Sequence, residues 1–102
     1  MVDYDRIISE CFWDVDISVS DIESIINAYD YKKKLFLFEN ILLNSTNLFK
    51  DLSIFKREDL RILLEQYRVP DFNRDYIFKR KNMAEAFFFD KPLEVRELKW
   101  II

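Results

Sequence analysis

Histidine and glycine are both absent from this chain of 102 residues. Without histidine, the chain lacks the commonest general base, the commonest zinc ligand and every nucleophile that a histidine would activate. Without glycine, it lacks the loops that bind phosphates and dinucleotides, and two-residue hairpin turns are disfavoured. Most hydrolase mechanisms and most nucleotide-binding motifs are therefore excluded.

Cysteine occurs once, at Cys11. A single cysteine forms no disulfide within the chain and cannot by itself provide a thiolate zinc site. A small apolar thiol inside a predicted helix is more often part of the core than a nucleophile. We therefore expect no cofactor and no bound metal.

Long apolar runs are also missing, and the densest are 35–38 and 87–89. A membrane-spanning helix needs about 18 or more consecutive apolar residues, so we expect no such helix. Near the N-terminus, Asp3 and Asp5 stand where a signal peptide would have basic residues followed by an apolar stretch. This pattern favours a cytoplasmic protein.

Apolar and aromatic residues are plentiful, at 50% and 17% of the chain. A chain of this length has room for one core, so residues 1–102 are predicted to form a single domain. Apolar residues recur with helical spacing. Helix caps are expected at Asp3, Asp30 and Asn73, and Pro70 ends a helical segment. The sequence predicts an all-α fold, a compact bundle of about five or six helices. Apolar residues with helical spacing fall in the six segments 4–13, 22–29, 31–43, 48–55, 57–68 and 74–89.

Three details of this pattern matter for function. Residues 14–19 alternate polar and apolar side chains, and we interpret them as an extended linker that enters a helix through capping boxes at Ser18 and Ser20. The segment 31–43 is apolar on all sides, which predicts a central helix. The tail 93–102 fits a helix or an extended segment, and the preceding proline favours the helix.

Charge is divided unevenly along the chain. Residues 1–30 carry eight acidic residues and one basic residue, whereas residues 31–102 carry eleven acidic and fifteen basic residues. The net charges are −7 and +4, respectively. The division either produces one acidic and one basic face or makes the two parts attract each other within the domain.

Asp14 and Asp16 resemble two kinds of metal-binding acid pair. In the register of a calcium-binding EF-hand loop, Val19 stands where glycine is required and Ile25 where a bidentate glutamate is required. The acid pair of nucleotidyltransferases needs a preceding Gly-Ser turn, which this chain lacks. Solvated acids at a helix entrance are the better interpretation.

Asp71, Glu97 and Lys99 also match the residue types of a nuclease sequence pattern. In that pattern two acids hold a divalent metal and a lysine activates water. The corresponding site lies on a sheet, whereas the intervening residues here are predicted to be helical. A metal-dependent nuclease is the third and least favoured hypothesis.

Two basic clusters have aromatic neighbours. They consist of Lys32, Lys33 and Lys34, and of Lys79, Arg80 and Lys81. Such clusters can contact the phosphates of a nucleic acid with support from aromatic stacking. The isoelectric point near 5.0 is unlike that of most nucleic-acid-binding domains. A nucleic-acid-associated protein is therefore the second hypothesis.

Aromatic side chains are the other candidates for a binding surface. Phe87, Phe88 and Phe89 span about 300° of a helix and cannot all face one core. Trp13 and Trp100 lie near the two ends of the chain. The surface that these residues meet is the folded tail, a second copy in a homodimer, or another protein, for which Phe and Trp are typical anchors.

Segments along most of the chain carry a resemblance to a known group. They are Glu10-Cys11-Phe12-Trp13-Asp14 with Ser18 and Asp21-Ile22, Lys34-Leu35-Phe36-Leu37-Phe38-Glu39 through Asn44-Ser45, and Glu97-Leu98-Lys99-Trp100. In these segments the chain resembles a group of small uncharacterised prokaryotic helical proteins. Some members are encoded beside nucleotidyltransferase-like toxins, so the resemblance implies an antitoxin-like or accessory role. It implies no catalytic residue.

The favoured hypothesis is a non-enzymatic module that binds another protein, which the resemblance suggests is a toxin. An acidic surface suits such a role because it can cover a basic active site. The residues predicted to contact the partner are Trp13, Asp14, Asp16, Phe88, Phe89 and Trp100.

Overall fold

The computed structural model describes residues 3–90, which form six helices and no strand. The helices are α1 (Tyr4–Cys11), α2 (Val19–Asn27), α3 (Tyr31–Asn44), α4 (Leu48–Leu52), α5 (Arg57–Gln66) and α6 (Arg74–Phe89). The prediction of a small all-α bundle is confirmed. The predicted segment 93–102, with Trp100 and the nuclease candidates Glu97 and Lys99, lies outside the described residues.

None of the helices within residues 3–90 has the length and apolarity that crossing a bilayer requires.

Three helices begin at the side-chain caps that the sequence predicts. Asp3, Ser18 and Asp30 each accept a hydrogen bond from the backbone N–H of the third helical residue, at 3.1, 3.1 and 3.2 Å. At α2 the Ser18 box is the one that forms, because Asp21 also accepts from the backbone N–H of Ser18. Ser20 lies inside the helix, so the second predicted box is wrong.

Both ends of α6 lie at residues with left-handed backbone conformations. Asn73 has φ 49° and Asp90 has φ 53°. Because the chain has no glycine, Asn and Asp take these positions, as the composition predicts. The predicted start of α6 is confirmed, but the predicted cap is wrong in detail, since the Asn73 side chain makes no capping hydrogen bond.

The third helix is the centre of the bundle and packs against the other five. Its side chains that are fully buried are Leu37, Phe38, Ile41 and Leu42. The prediction of a central helix is thus confirmed. One side of it nevertheless reaches the surface, because Phe36 is partly exposed beside the buried ring of Phe12, with 5.7 Å between the ring centroids.

The inward face of α6 differs from the predicted one. The helical spacing predicts a face built on Tyr76, Ile77, Arg80, Met83, Ala84, Phe87 and Phe88. Of these, Ile77 and Ala84 are fully buried, as predicted, whereas Tyr76, Met83 and Phe87 are exposed. The buried stripe of α6 is therefore narrower than the predicted face and runs through Ile77 and Ala84. Contacts between α6 and the end of α3 hold this orientation. These contacts join residues far apart in the sequence, so the local spacing of apolar residues does not reveal them.

One of those contacts belongs to Arg80. Its guanidinium donates through Nε to the carbonyl oxygen of Leu42 and through Nη2 to that of Ser45, the latter at 2.6 Å. These carbonyls belong to the last turn of α3 and its C-terminal cap, where partial negative charge accumulates. Arg80 therefore fixes the rotation of α6 by satisfying the end of α3.

A second polar contact joins α1, α4 and the connection between α3 and α4. The carboxylate of Asp51 has no exposed surface and accepts hydrogen bonds from the Arg6 guanidinium and from the Ser45 hydroxyl. Arg6 also pairs with Glu10 at 2.8 Å. Glu10 in turn accepts from the backbone N–H and the hydroxyl of Thr46, at 3.2 and 2.8 Å. No buried side-chain nitrogen or oxygen among residues 3–90 lacks a partner.

Replacing the buried charge tests its importance. We expect Asp51→Asn to lower the free energy of unfolding by about 2–3 kcal/mol, because it removes the charge from a buried, hydrogen-bonded pair. Urea denaturation followed by circular dichroism measures the change. The matched control is Glu58→Gln, which neutralises an exposed acid paired with Arg61 and should change stability by less than about 0.5 kcal/mol. Equal effects of the two substitutions would contradict a special role for Asp51.

Candidate protein-binding site

The segment between α1 and α2 turns one aromatic side chain inward and the next one outward. The ring of Phe12 is buried, and its carbonyl accepts a hydrogen bond from the N–H of Val15 at 3.1 Å. The following side chain, Trp13, is 67% exposed, and Val15 is also exposed. A buried anchor therefore presents Trp13 and Val15 at the surface in a turn of defined geometry.

An open groove lies beside this segment and has a volume of about 540 Å³. The segment forms one wall, α2 the second, and the connection from α2 to α3 closes it. Its apolar lining consists of Val15, Ile17, Ile25, Ala28 and Tyr29. Its polar lining consists of Asp16, Asp21, Ser24, Asp30 and Lys33. The volume lies in the range of about 300–1,000 Å³ that is typical of ligand sites.

The charge of the groove is predominantly negative, with three aspartates against one lysine. Asp21 and Asp30 also cap helices, whereas Asp16 forms no hydrogen bond or ion pair with any residue between 3 and 90. Hydrogen bonds from Ser18, first from its backbone N–H and then from its hydroxyl, lower the pKa of Asp21. Asp21 therefore keeps its negative charge at neutral pH.

The predicted partner-binding residues fall into two groups. Trp13, Asp14 and Asp16 are all exposed on the segment that borders the groove. Phe88 and Phe89 do not line the groove; they are partly buried and pack against the core. Trp100 lies outside the described residues.

The three consecutive phenylalanines do not all face the core, as their angular spread predicts. Phe87 is the outward one, at 60% exposure. Its ring stacks on that of Phe49 from α4, with centroids 4.3 Å apart and planes inclined by 3°. The Arg57 guanidinium covers the ring of Phe89 at 4.7 Å. These contacts attach the end of α6 to the bundle and leave Phe87 as a small exposed aromatic surface.

In each of the two basic clusters, some cations bind partners within the fold and others face solvent. Lys34 is buried and pairs with Asp59 at 2.9 Å, Arg80 binds the end of α3, and Lys81 pairs with Glu85 at 3.2 Å. Lys32 and Lys33 are exposed, and Lys79 is partly buried. Neither cluster presents three adjacent cations to solvent.

The metal-binding patterns gain no support within residues 3–90, where no three His, Cys, Asp or Glu side chains are grouped so that they could hold a metal ion. Asp14 and Asp16 are solvated at the entrance to α2, in agreement with the interpretation of the sequence. Asp71 is fully exposed, with its carboxylate 3.9 Å from the guanidinium of Arg74.

Sequence reasoning missed the α2 side of the groove. The helical spacing of Ile22, Ile25, Ile26 and Tyr29 predicts one inward face, but Tyr29 lies beyond the end of α2 and is fully exposed. Ile25 packs against the core, as its spacing predicts, and its exposed part also lines the groove. The sequence signal was Asp30. Because Asp30 caps the start of α3, α2 must end before it, and the residues between the two helices need not face the core.

Comparison with protein-family models, with curated proteins and with solved structures finds no match for this chain. The site is therefore interpreted from its own geometry.

The buried thiol of Cys11 provides a test of its predicted structural role. Burial, and then the negative charges of Asp51 and Glu10, raise the pKa of Cys11 to about 12. At pH 8 only about one thiol in ten thousand is then ionised. We expect alkylation by iodoacetamide at this pH to be slow in the folded protein and to rise to the rate of an ordinary cysteine in urea. Equal rates in the two states would contradict the inert assignment.

The capping box of α2 predicts a pH dependence of stability. Because the pKa of Asp21 is lower in the folded chain than its ordinary value of 3.8, its charged form stabilises the fold above that value. This contribution is lost as the pH falls through the folded pKa. We expect the stability difference between the wild type and Asp21→Asn to be largest near pH 7 and to shrink below about pH 4. Urea denaturation over this pH range measures it.

The control for this prediction is Glu23→Gln, which changes an exposed acid on the same helix that has no side-chain partner among residues 3–90. Its effect should be small across the whole range. A difference for Asp21→Asn that does not vary with pH would refute the assignment.

Proposed function

We propose that this chain is a non-enzymatic protein-binding module and that it binds its partner through an N-terminal face. This face consists of Trp13, Val15 and the groove beside them. The observation that carries the proposal is the combination of a largely exposed tryptophan with an adjoining groove of about 540 Å³.

The chemistry of the face supports protein recognition. Tryptophan is enriched among the residues that contribute most to binding energy, because it buries a large area with few rotatable bonds. Beside Trp13, Val15 and the apolar lining of the groove extend the area that a partner would remove from water. The acidic rim orients a basic surface of the partner and speeds its association.

The local structure supports a preorganised face. Phe12 fixes the start of the segment in the core, and the capping box at Ser18 fixes its end. Holding the segment at both ends reduces the conformational entropy that binding would otherwise cost. A preformed face of this kind is what a binding module needs.

The resemblance to proteins encoded beside nucleotidyltransferase-like toxins supports a narrower proposal. The partner is then a toxin, and the chain acts as its antitoxin by covering a basic active-site region with the acidic face. The composition supports a role without catalysis, since histidine and glycine are absent.

The nucleic-acid hypothesis is less favoured. Lys34 and Arg80 are occupied by contacts within the fold, so the clusters contribute fewer free cations than the sequence suggests. Binding to phosphates relies on such cations and falls steeply with salt.

Site-specific photo-crosslinking tests the proposed function. A photoreactive amino acid replaces Trp13 in one variant and Phe72 in the control, an exposed aromatic residue that does not line the groove. Both variants are irradiated in extract of the native host at physiological salt. We expect the variant at position 13 to crosslink one protein reproducibly and the control not to do so, as measured by mass spectrometry.

Several outcomes would overturn the proposal. These are an equal pattern from both positions, a crosslink that nuclease treatment removes, or a crosslink only to a second copy of this chain. The narrower proposal is tested by co-expression. If the crosslinked protein inhibits growth, the wild-type chain should restore growth and Trp13→Glu should not.

A further inference from the structure

We infer that the segment of the partner that occupies the groove is a basic amphipathic helix, with an apolar stripe toward the groove and lysine or arginine beside the stripe. This inference rests on the proposed function and specifies the chemistry of the partner.

The walls favour a helix over an extended peptide. An extended segment gains affinity by adding to an exposed sheet edge, and residues 3–90 contain no strand. The backbone groups inside α2 are already hydrogen-bonded within the helix, so that wall offers no ladder to a partner strand. A segment that buries its backbone against these walls must satisfy its own backbone groups, and a helix does so.

The lining defines one side of that helix. The groove has apolar lining on all its sides, from Ile17 on the first wall, Ile25 on the second and Ala28 in the connection that closes it. An apolar stripe of a helix, with residues spaced by three and four, fits such a surface in the manner of other helix-in-groove complexes.

The charges define its flanks. Asp16 lies on the wall formed by the segment, whereas Asp21 and Asp30 lie on the α2 side and at its end. Asp16 has no partner among the described residues and is available to a cation of the partner. Lys33 is the single cation of the lining and lies at the start of α3, so the basic residues of the partner should concentrate at the opposite end.

A designed peptide tests this inference. The probe is a fluorescein-labelled helix of about 18 residues made of leucine and lysine, with leucine on one face. Its controls are the same composition in scrambled order and a leucine–glutamate peptide with the same pattern. Fluorescence anisotropy at about 150 mM salt measures the affinities, and amide chemical shifts map the contact surface.

We expect only the patterned leucine–lysine peptide to bind, with the largest shifts at Ile17, Ile25 and Ala28. Asp16→Lys should weaken binding about tenfold, because it replaces an attraction by a repulsion. Val15→Ser should weaken it about threefold through lost apolar contact. The matched control Asp71→Lys makes the same charge change at a fully exposed site and should alter the affinity less than twofold.

Three outcomes would overturn the inference. Equal losses from Asp16→Lys and Asp71→Lys would show attraction by net charge alone. Equal binding of the leucine–glutamate peptide would show that the acidic rim does not favour a basic peptide over an acidic one. Shifts centred on Phe49 and Phe87 would move the contact to the other aromatic surface.

Failure of this inference is distinguishable from failure of the proposed function. If the crosslink from position 13 identifies a partner segment without basic residues, the inference is wrong and the protein-binding role stands. If the peptide binds the groove but no partner is crosslinked, the chemistry of the groove stands and the proposed function is wrong.

Discussion

The buried carboxylate of Asp51 is the interaction on which the arrangement of the helices depends. It accepts from Arg6 on α1 and from Ser45 at the end of α3, while the carbonyl of Ser45 accepts from Arg80 on α6. Four helices therefore converge on a few hydrogen bonds. Charge in the interior is costly unless it is paired, so an arrangement that separated these groups would be strongly disfavoured. Burial of apolar side chains drives the collapse of the chain, and the hydrogen bonds of Asp51 favour one arrangement of the helices.

The position of the candidate site follows from that arrangement of the helices. Arg6 holds α1 against α4 and the end of α3, and α1 ends with Phe12 beside Phe36. The chain must then leave the core at Trp13, which makes that side chain a surface residue. The return into α2 at Ser18 creates the second wall of the groove. The face thus results from how α1 and α2 are attached to α3.

The elements and caps were predictable because they depend on neighbouring residues. Asp3, Ser18 and Asp30 each bond within three positions along the chain, so local patterns contain their signal. Which part of the predicted α6 face is buried was not predictable, since it depends on Arg80 donating to a carbonyl 38 positions away. The exposure of Trp13 agrees with the expectation for a contact residue, and its role in binding stays a prediction. The groove could not be foreseen, because Val15 and Tyr29 are brought together only by the packing of α2.

The attachment of α2 has a thermodynamic consequence. This helix of nine residues packs chiefly on α1 and α3, and it buries only Ile22 and Ile26 deeply. Small, lightly buried units open more readily than the core, so α2 should undergo local unfolding at a lower free energy than the bundle as a whole. A molecule that fills the groove would oppose this opening. Occupancy of the face is therefore coupled to the order of a single helix, and slowed exchange of its amide hydrogens would report binding without any change in the rest of the fold.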